Sequence, residues 1–180
     1  DQKVYLVTQR NPQQEVPTAA DLYQMGTVSQ IKQIVKMPNG ILRVMVEGLE
    51  RAALLTLFED GQYLEAEIED APMQEEQLSD TVKEAMSRIV KEKLEEFGNA
   101  NPKAVKDFIG SLLVITDLEP LLTQTANEFP WDFAVKQELL ECDYVSHLYD
   151  RIVYYLMREI EILMIKRDYQ GKVKEHIDKN

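Results

Sequence analysis

The stretch MPNGILRVMVEGLER, Met37 to Arg51, holds a tight-turn signal, a hydrophobic run, an acid, a glycine and an arginine within fifteen positions. Asn39-Gly40 is the strongest short hairpin signal, because both central residues of a type I′ turn need positive φ. After it, Leu42, Val44 and Val46 alternate with Ile41, Arg43, Met45 and Glu47, a period of two that marks a β-strand. Both faces of that strand are largely apolar, which suits a central strand of a small β body.

Working outward, the flanking segments also read as strands. KVYLVT (Lys3–Thr8) is short and rich in β-branched and aromatic residues, and ends at the turn-forming RNPQQEVP. GTVSQIKQIVKM leads into the hairpin, although its alternation is weak. Ala53, Leu55 and Leu57 lie on a further strand that runs to Asp60-Gly61, a second turn. Beyond it, Leu64, Ala66 and Ile68 alternate with Tyr63, Glu65, Glu67 and Glu69, an apolar face opposite an acidic one. Several short strands with close turns predict a small antiparallel barrel or sandwich.

From about Gln74 the period becomes helical. Leu78, Val82, Met86, Ile89, Val90, Leu94 and Phe97 form an apolar stripe, with Gly98 placed to end it. Pro102 opens the next helix, carrying Val105, Phe108, Ile109 and Leu112 on its buried face. Asp117 is a cap for a third, and Asp132 for a short one through Val135, Leu139 and Leu140. Asp143 precedes a long stretch in which Val145, Leu148, Ile152, Leu156, Ile160 and Leu163 recur at three- and four-residue steps. About 35 helical residues would span roughly 50 Å, longer than a core of this size can cover. The class predicted is α+β, divided as a β body over 1–72, a helical bundle over 73–142 and a long helix over 143–180.

Composition excludes several functions. The chain has 180 residues and a formal net charge of −12. No segment is basic: 6 Lys/Arg face 11 Asp/Glu over 1–70, 7 face 14 over 71–142, and 7 face 7 over 143–180. Duplex nucleic acid would be repelled, so an RNA-binding barrel is a poor reading. The single cysteine, Cys142, excludes an intrachain disulfide and a multi-cysteine zinc site. No apolar run approaches the roughly twenty residues of a membrane span, and no signal-peptide pattern opens the sequence. A cytoplasmic protein is expected.

Catalytic motifs are equally sparse. Ser29-Gln30-Ile31-Lys32 matches S-x-x-K, but that chemistry needs both groups on one helical turn, and this segment reads as a strand. His147 and His176 stand 29 positions apart on one predicted helix, too far to share a metal. The acids at Glu65, Glu67 and Glu69 suit a solvated strand face that discourages edge pairing. No calcium-binding or phosphate-cradling loop is present. Phe129 and Trp131, flanking Pro130, are the one candidate contact pair, as a partly exposed apolar patch; the competing reading has them plug the end of the helical bundle.

With both halves laid out, the chain resembles the N-terminal domain of bacterial ATP-dependent Lon protease (LonA type). Gly26-Thr27-Val28, Ile31, Pro38-Asn39-Gly40, Val46-Glu47-Gly48 and Arg51 carry the resemblance first. Lys136–Glu141 (KQELLE), Arg151 and Glu159-Ile160-Glu161 carry it second, and it covers the chain from about Lys3 to Asn180. The resemblance implies a PUA-like antiparallel β pseudo-barrel followed by an α-helical bundle ending in a long C-terminal helix. In that setting Gly48 would permit a backbone excursion between two strands, and Glu47 with Arg51 would tie the corner.

The implied role is non-catalytic: substrate recognition and assembly for an ATP-dependent serine protease that degrades misfolded and regulatory proteins. ATP, magnesium and a serine–lysine dyad would belong to modules elsewhere in such a protein, with no cofactor or metal in this chain. Expected partners are unfolded or tagged proteins, touched at Phe129 and Trp131, and other copies: a hexamer in the parent protein and a weak dimer for the isolated chain. Neither nucleic acid nor membrane is expected as a partner. The resemblance implies a leading strand–helix segment ahead of Lys3 that these residues do not include, so an exposed sheet edge that invites strand exchange is expected. The rival is a free-standing Lon-like ligand-binding or adaptor module.

Overall fold

A computed structural model describes residues 2–179. The chain forms two compact units: residues up to Gln74 together with Phe133–Glu141, and Glu75–Asp132 together with residues from Cys142 onward.

The first unit is a four-stranded antiparallel sheet with the order β1-β2-β3-β4. Its strands are β1 (Lys3–Leu6), β2 (Met25–Lys36), β3 (Leu42–Phe58) and β4 (Glu65–Asp70). The two strands expected on either side of Gly48 are one strand of 17 residues, and the excursion there is a bulge at the neighbouring Leu49 within that strand. The ladder slips at three places. Lys32, Leu49 and Leu55 are each an extra residue where the register shifts, and each bulge lets the ribbon bend without ending. The slip at Lys32 explains the weak alternation of β2: one inserted residue resets the face of every side chain after it.

The hairpin turn also differs from the type I′ expectation. Gly40 has φ of 81°, while no non-glycine residue among those described has positive φ. Gly40 N–H donates to the Met37 carbonyl at 3.0 Å, and Met37 N–H to the Ile41 carbonyl at 2.8 Å. That is a three-residue loop, Pro38-Asn39-Gly40, with the glycine in the left-handed position of a bulge. Pro38 is the cause, since its ring suits the first central position of an ordinary turn ahead of Asn39.

Near its base the sheet is well anchored. Tyr5 donates its hydroxyl hydrogen to the Ala52 carbonyl at 3.0 Å, reaching across β2. Its ring passes over Gly26, where a Cβ would lie 2.6 Å from the ring and 2.5 Å from the Leu6 carbonyl oxygen. Only glycine accommodates that passage. The short helix α5 (Phe133–Leu140) belongs to this unit rather than to the helical part where the sequence reading placed it. Gln137 Nε2 donates to the Met25 carbonyl at 2.9 Å, and Leu139 is buried. Long-range hydrogen bonding therefore outweighs the continuity of helical pattern that suggested the other assignment.

The second unit is helical: α1 (Asp80–Ala100), α2 (Pro102–Ala104), α3 (Gly110–Leu113), α4 (Leu118–Glu128) and α6 (Val145–Asp178). A π-helical turn, Val105–Ile109, joins α2 to α3. Ser79 caps α1 by accepting from Val82 N–H at 3.2 Å. Gly98 does not terminate α1, as its position suggested. It lies inside the helix, and a Cβ there would come within 2.8 Å of Val105 Cγ2. Its absent side chain is what lets the π turn approach. Helix α6 begins at Val145, packs against α1 and α4, and buries Leu148, Ile152 and Leu156. At 34 residues and a rise of 1.5 Å per residue it extends about 51 Å. Its far part is exposed, including Ile165, Tyr169, Val173 and Ile177.

Candidate functional site

Phe129 and Trp131 do not form a surface patch. They are 1% and 8% exposed respectively. Phe129 meets Phe97 and Phe108 edge-on at centroid distances of 4.9 and 5.4 Å, and stacks on Trp131 at 4.4 Å. Trp131 in turn lies 5.9 Å from the Tyr155 ring. The expectation that this pair offers an exposed contact is corrected: Pro130 turns both rings inward, where edge-face and offset stacking add to the apolar area they bury. Their place is in the packing of the helical unit.

The Glu47–Arg51 corner is built differently from the expected single tie. Glu47 accepts from Lys32 Nζ at 2.6 Å across the ladder. Arg51 donates through Nε to the Ala71 carbonyl at 2.8 Å and through a terminal nitrogen to the Leu140 carbonyl at 2.7 Å. The planar fork of a guanidinium suits several carbonyls at once. Arg51 thereby holds the end of β4 and α5 to β3 within the first unit.

Titratable groups give no catalytic arrangement. Burial raises the Tyr5 phenol above its ordinary range. Hydrogen bonds from Thr18 hold the Asp21 carboxyl low, and those from Ser146 do the same for Glu76. Lys32 is engaged by Glu47, while the Ser29 hydroxyl points to the Thr27 carbonyl at 3.4 Å, so the S-x-x-K pair does not meet. Among the described residues no group of three or more His, Cys, Asp or Glu side chains could hold a metal, and no helix is long and apolar enough to cross a membrane. A partly open pocket of about 300 Å³ lies beside Leu6, Gly26, Ser29, Gln137 and Leu140. No titratable side chain lines it, and its amide, Gln137, is already committed to Met25 and Glu141.

What remains is the far half of the β2–β3 hairpin, which the sequence reading placed at the centre of a β body. β1 pairs β2 only as far as Gln30, with one further bond from Ile31, and β4 pairs β3 only from Ala52 onward. Main-chain groups of Lys32–Glu50 therefore bond only within the hairpin among the described residues. Ile34, Val35, Ile41, Leu42, Val44, Met45 and Val46 are 39% to 60% exposed. Cross-strand partners share a face. The pairs Ile31–Val46 and Ile34–Val44, with Leu42 opposite Lys36 at the tip, make one face mainly apolar, whereas Gln33–Met45, Val35–Arg43 and Gln30–Glu47 make the other mixed. The central-strand reading holds for β3 in the sheet order, but not for its first half, which has β2 alone beside it. An apolar strand needs neighbours to be buried, and the short β1 and β4 stop before they reach this arm. Apolar residues on both faces are the sequence signal of this arm, and alone they do not distinguish burial from exposure.

The family model for the ATP-dependent protease La (LON) substrate-binding domain matches residues 1–158. A Lon protease of Lachnoclostridium phytofermentans is 37% identical over 180 residues, covering 100% of this chain and 22% of that protein. The chain thus spans about a fifth of the length of the curated relatives it matches. The N-terminal domain of Mycobacterium avium complex Lon protease superposes with a TM-score of 0.59 at 19% identity, over 78% of this chain and 74% of that one. A Lon N-terminal domain protein from Xanthomonas campestris gives 0.53 at 11% identity, over 86% and 89%. The two structures share this α+β fold of an antiparallel sheet followed by helices. With the family model matching residues 1–158, the chain belongs to the LON substrate-binding domain family.

Proposed function

We propose that this chain captures polypeptide substrates for an ATP-dependent serine protease and performs no chemistry itself. Substrates would be unfolded or tagged proteins, held mainly by apolar contacts that make little sequence demand. ATP with magnesium, and the serine–lysine dyad, would act in modules outside these 180 residues. In this reading the parent protein is a hexameric cytoplasmic quality-control protease, and the helical unit contributes to its assembly. The net charge of −12 favours neutral or basic segments and disfavours RNA.

The family match over residues 1–158 is the observation that supports this most. Its test has two parts. The chain should bind a permanently unfolded protein, such as one reduced and carboxymethylated, and show no ATP hydrolysis or peptide cleavage above buffer. Turnover of either substrate would overturn the non-catalytic assignment. A stop codon directly after Asn180 in the natural gene would favour the free-standing adaptor instead.

A further inference from the structure

We propose that Asn39-Gly40, at the exposed tip of the β2–β3 hairpin, is a site of spontaneous covalent modification, where Asn39 loses its side-chain nitrogen and becomes mainly isoaspartate. The inference does not depend on substrate capture, and the reaction draws only on the loop's own atoms and water. The Gly40 main-chain nitrogen, its proton taken by solvent hydroxide, adds to Cγ of Asn39. The Cγ–Nδ2 bond then breaks, Nδ2 takes a proton from water and leaves as ammonia, and a succinimide ring remains. Water opens that ring at Cγ to give aspartate, or at the main-chain carbonyl carbon to give isoaspartate, in which the chain runs through Cβ and Cγ. Nothing is oxidised or reduced.

The tip favours each part of this step. A Cβ built on Gly40 would meet nothing within 4 Å, so the nucleophilic nitrogen has no side chain beside it and solvent base reaches it freely. Asn39 Oδ1 accepts from Ile41 N–H at 3.2 Å. That bond folds the side chain back along the main chain it must join, and it aims a donor at the oxygen that becomes negative when Gly40 adds. Charge acts in the same direction. Lys36 and Arg43 stand in the last ladder pairs before the loop, Lys36–Leu42 and Val35–Arg43, and residues 31–46 contain no acid. Nearby positive charge favours both the deprotonated amide and the oxyanion. One contact opposes the reaction: Gly40 N–H donates to the Met37 carbonyl at 3.0 Å, and it must be released before the nitrogen can attack. Opening of that single bond in an exposed loop sets the rate in the folded protein.

No other asparagine among the described residues combines these conditions. Asn11 and Asn101 precede Pro12 and Pro102, whose ring nitrogens have no proton to give up. Asn99 and Asn127 lie within α1 and α4, where the following N–H is held in the helical ladder. Conversion at Asn39 also has a structural consequence. Isoaspartate lengthens the main chain of the three-residue loop by one methylene and adds a negative charge between Lys36 and Arg43. The bonds that close the loop, Met37 N–H to the Ile41 carbonyl and Gly40 N–H to the Met37 carbonyl, cannot both survive that insertion, so the tip of the hairpin loosens while the ladder below it stays paired.

The experiment incubates the natural full-length protein and this chain, both folded, at neutral and mildly alkaline pH. Peptide mass mapping follows each asparagine, with fragmentation that distinguishes isoaspartate from aspartate, and amide hydrogen exchange is compared before and after incubation. The expected result is conversion at Asn39 about tenfold or more faster than at Asn99 and Asn127, a rate that rises with pH, and isoaspartate in excess over aspartate. Exchange at Gly40 and Ile41 should quicken in the converted protein, while Asn39→Gln, carried through the same incubation, keeps its original exchange. Conversion at Asn39 no faster than at the two helical asparagines would overturn the proposal, and so would aspartate as the only product, since direct hydrolysis needs no ring. Conversion in this chain with Asn39 intact in the full-length protein would show the tip covered there, and would overturn it as a site of the natural protein.

Discussion

The two halves of β3 are one continuous strand with opposite surroundings. At its base, Ala52 and Leu54 are buried between neighbours on both sides; in its arm, Leu42 to Glu50 have one neighbour and every residue is exposed. Hydrophobicity does not separate them, since Val44 and Val46 are as apolar as the residues of the base. The difference is set by how far β1 and β4 reach, at 4 and 6 residues against 17. Helix α6 repeats the lesson: Leu148, Ile152 and Leu156 are buried, and the same spacing continues into the exposed Ile165, Tyr169 and Val173. Apolar periodicity specifies which face seeks cover, and neighbouring chain decides whether it gets it.

The sharpest way to break this comparison is to truncate one residue in each half of β3. Leu54→Ala should cost about 2–5 kcal/mol, the range for emptying a buried leucine site, and Val44→Ala less than about 1 kcal/mol because its side chain is already solvated. Urea unfolding followed by circular dichroism measures both. Equal losses would mean that the arm is packed in solution.

A second contrast uses backbone space. Gly26→Ala puts a methyl group against the Leu6 carbonyl and the Tyr5 ring, and should destabilise by about 1–3 kcal/mol through overpacking. Gly171→Ala, in the far part of α6 with nothing within 4 Å, should stabilise that helix by about 0.5–1 kcal/mol. The two melting temperatures should move in opposite directions. A fall for Gly171→Ala would show that the far turns are engaged.

The smallest effect concerns how the packed end of α6 is held. Glu76 accepts from Ser146 N–H at 3.0 Å and from the Ser146 hydroxyl, which lowers its pKa. A depressed carboxyl contributes stability above its unfolded pKa and loses it as pH falls through the folded one. Glu76→Gln should therefore cost about 1 kcal/mol or less near neutrality and flatten the acid limb of the stability profile. An unchanged acid limb would assign that limb to other carboxyls.

Element types were legible because their periods are long and distinct: two before Asp70 and 3.6 from Asp80. Misreadings arose where a partner distant in sequence decides. The bulges at Lys32, Leu49 and Leu55 hide the strand period, and Pro38 converts an apparent Asn-Gly turn into a three-residue loop. Gly98 looks like a helix stop until Val105 is brought against it. Phe129 and Trp131 carry no local sign of whether Pro130 turns them in or out. The arm was visible as a doubly apolar strand, yet only the lengths of β1 and β4 reveal that it is bare.

Helix α6 has a mechanical consequence. A continuous rod about 51 Å long converts a rotation of roughly ten degrees at its root into a sweep of about 9 Å at its tip, with each hydrogen-bonded turn passing torque to the next. A tilt at Leu148 and Ile152 would therefore be magnified at Ile177 by the length of the rod alone.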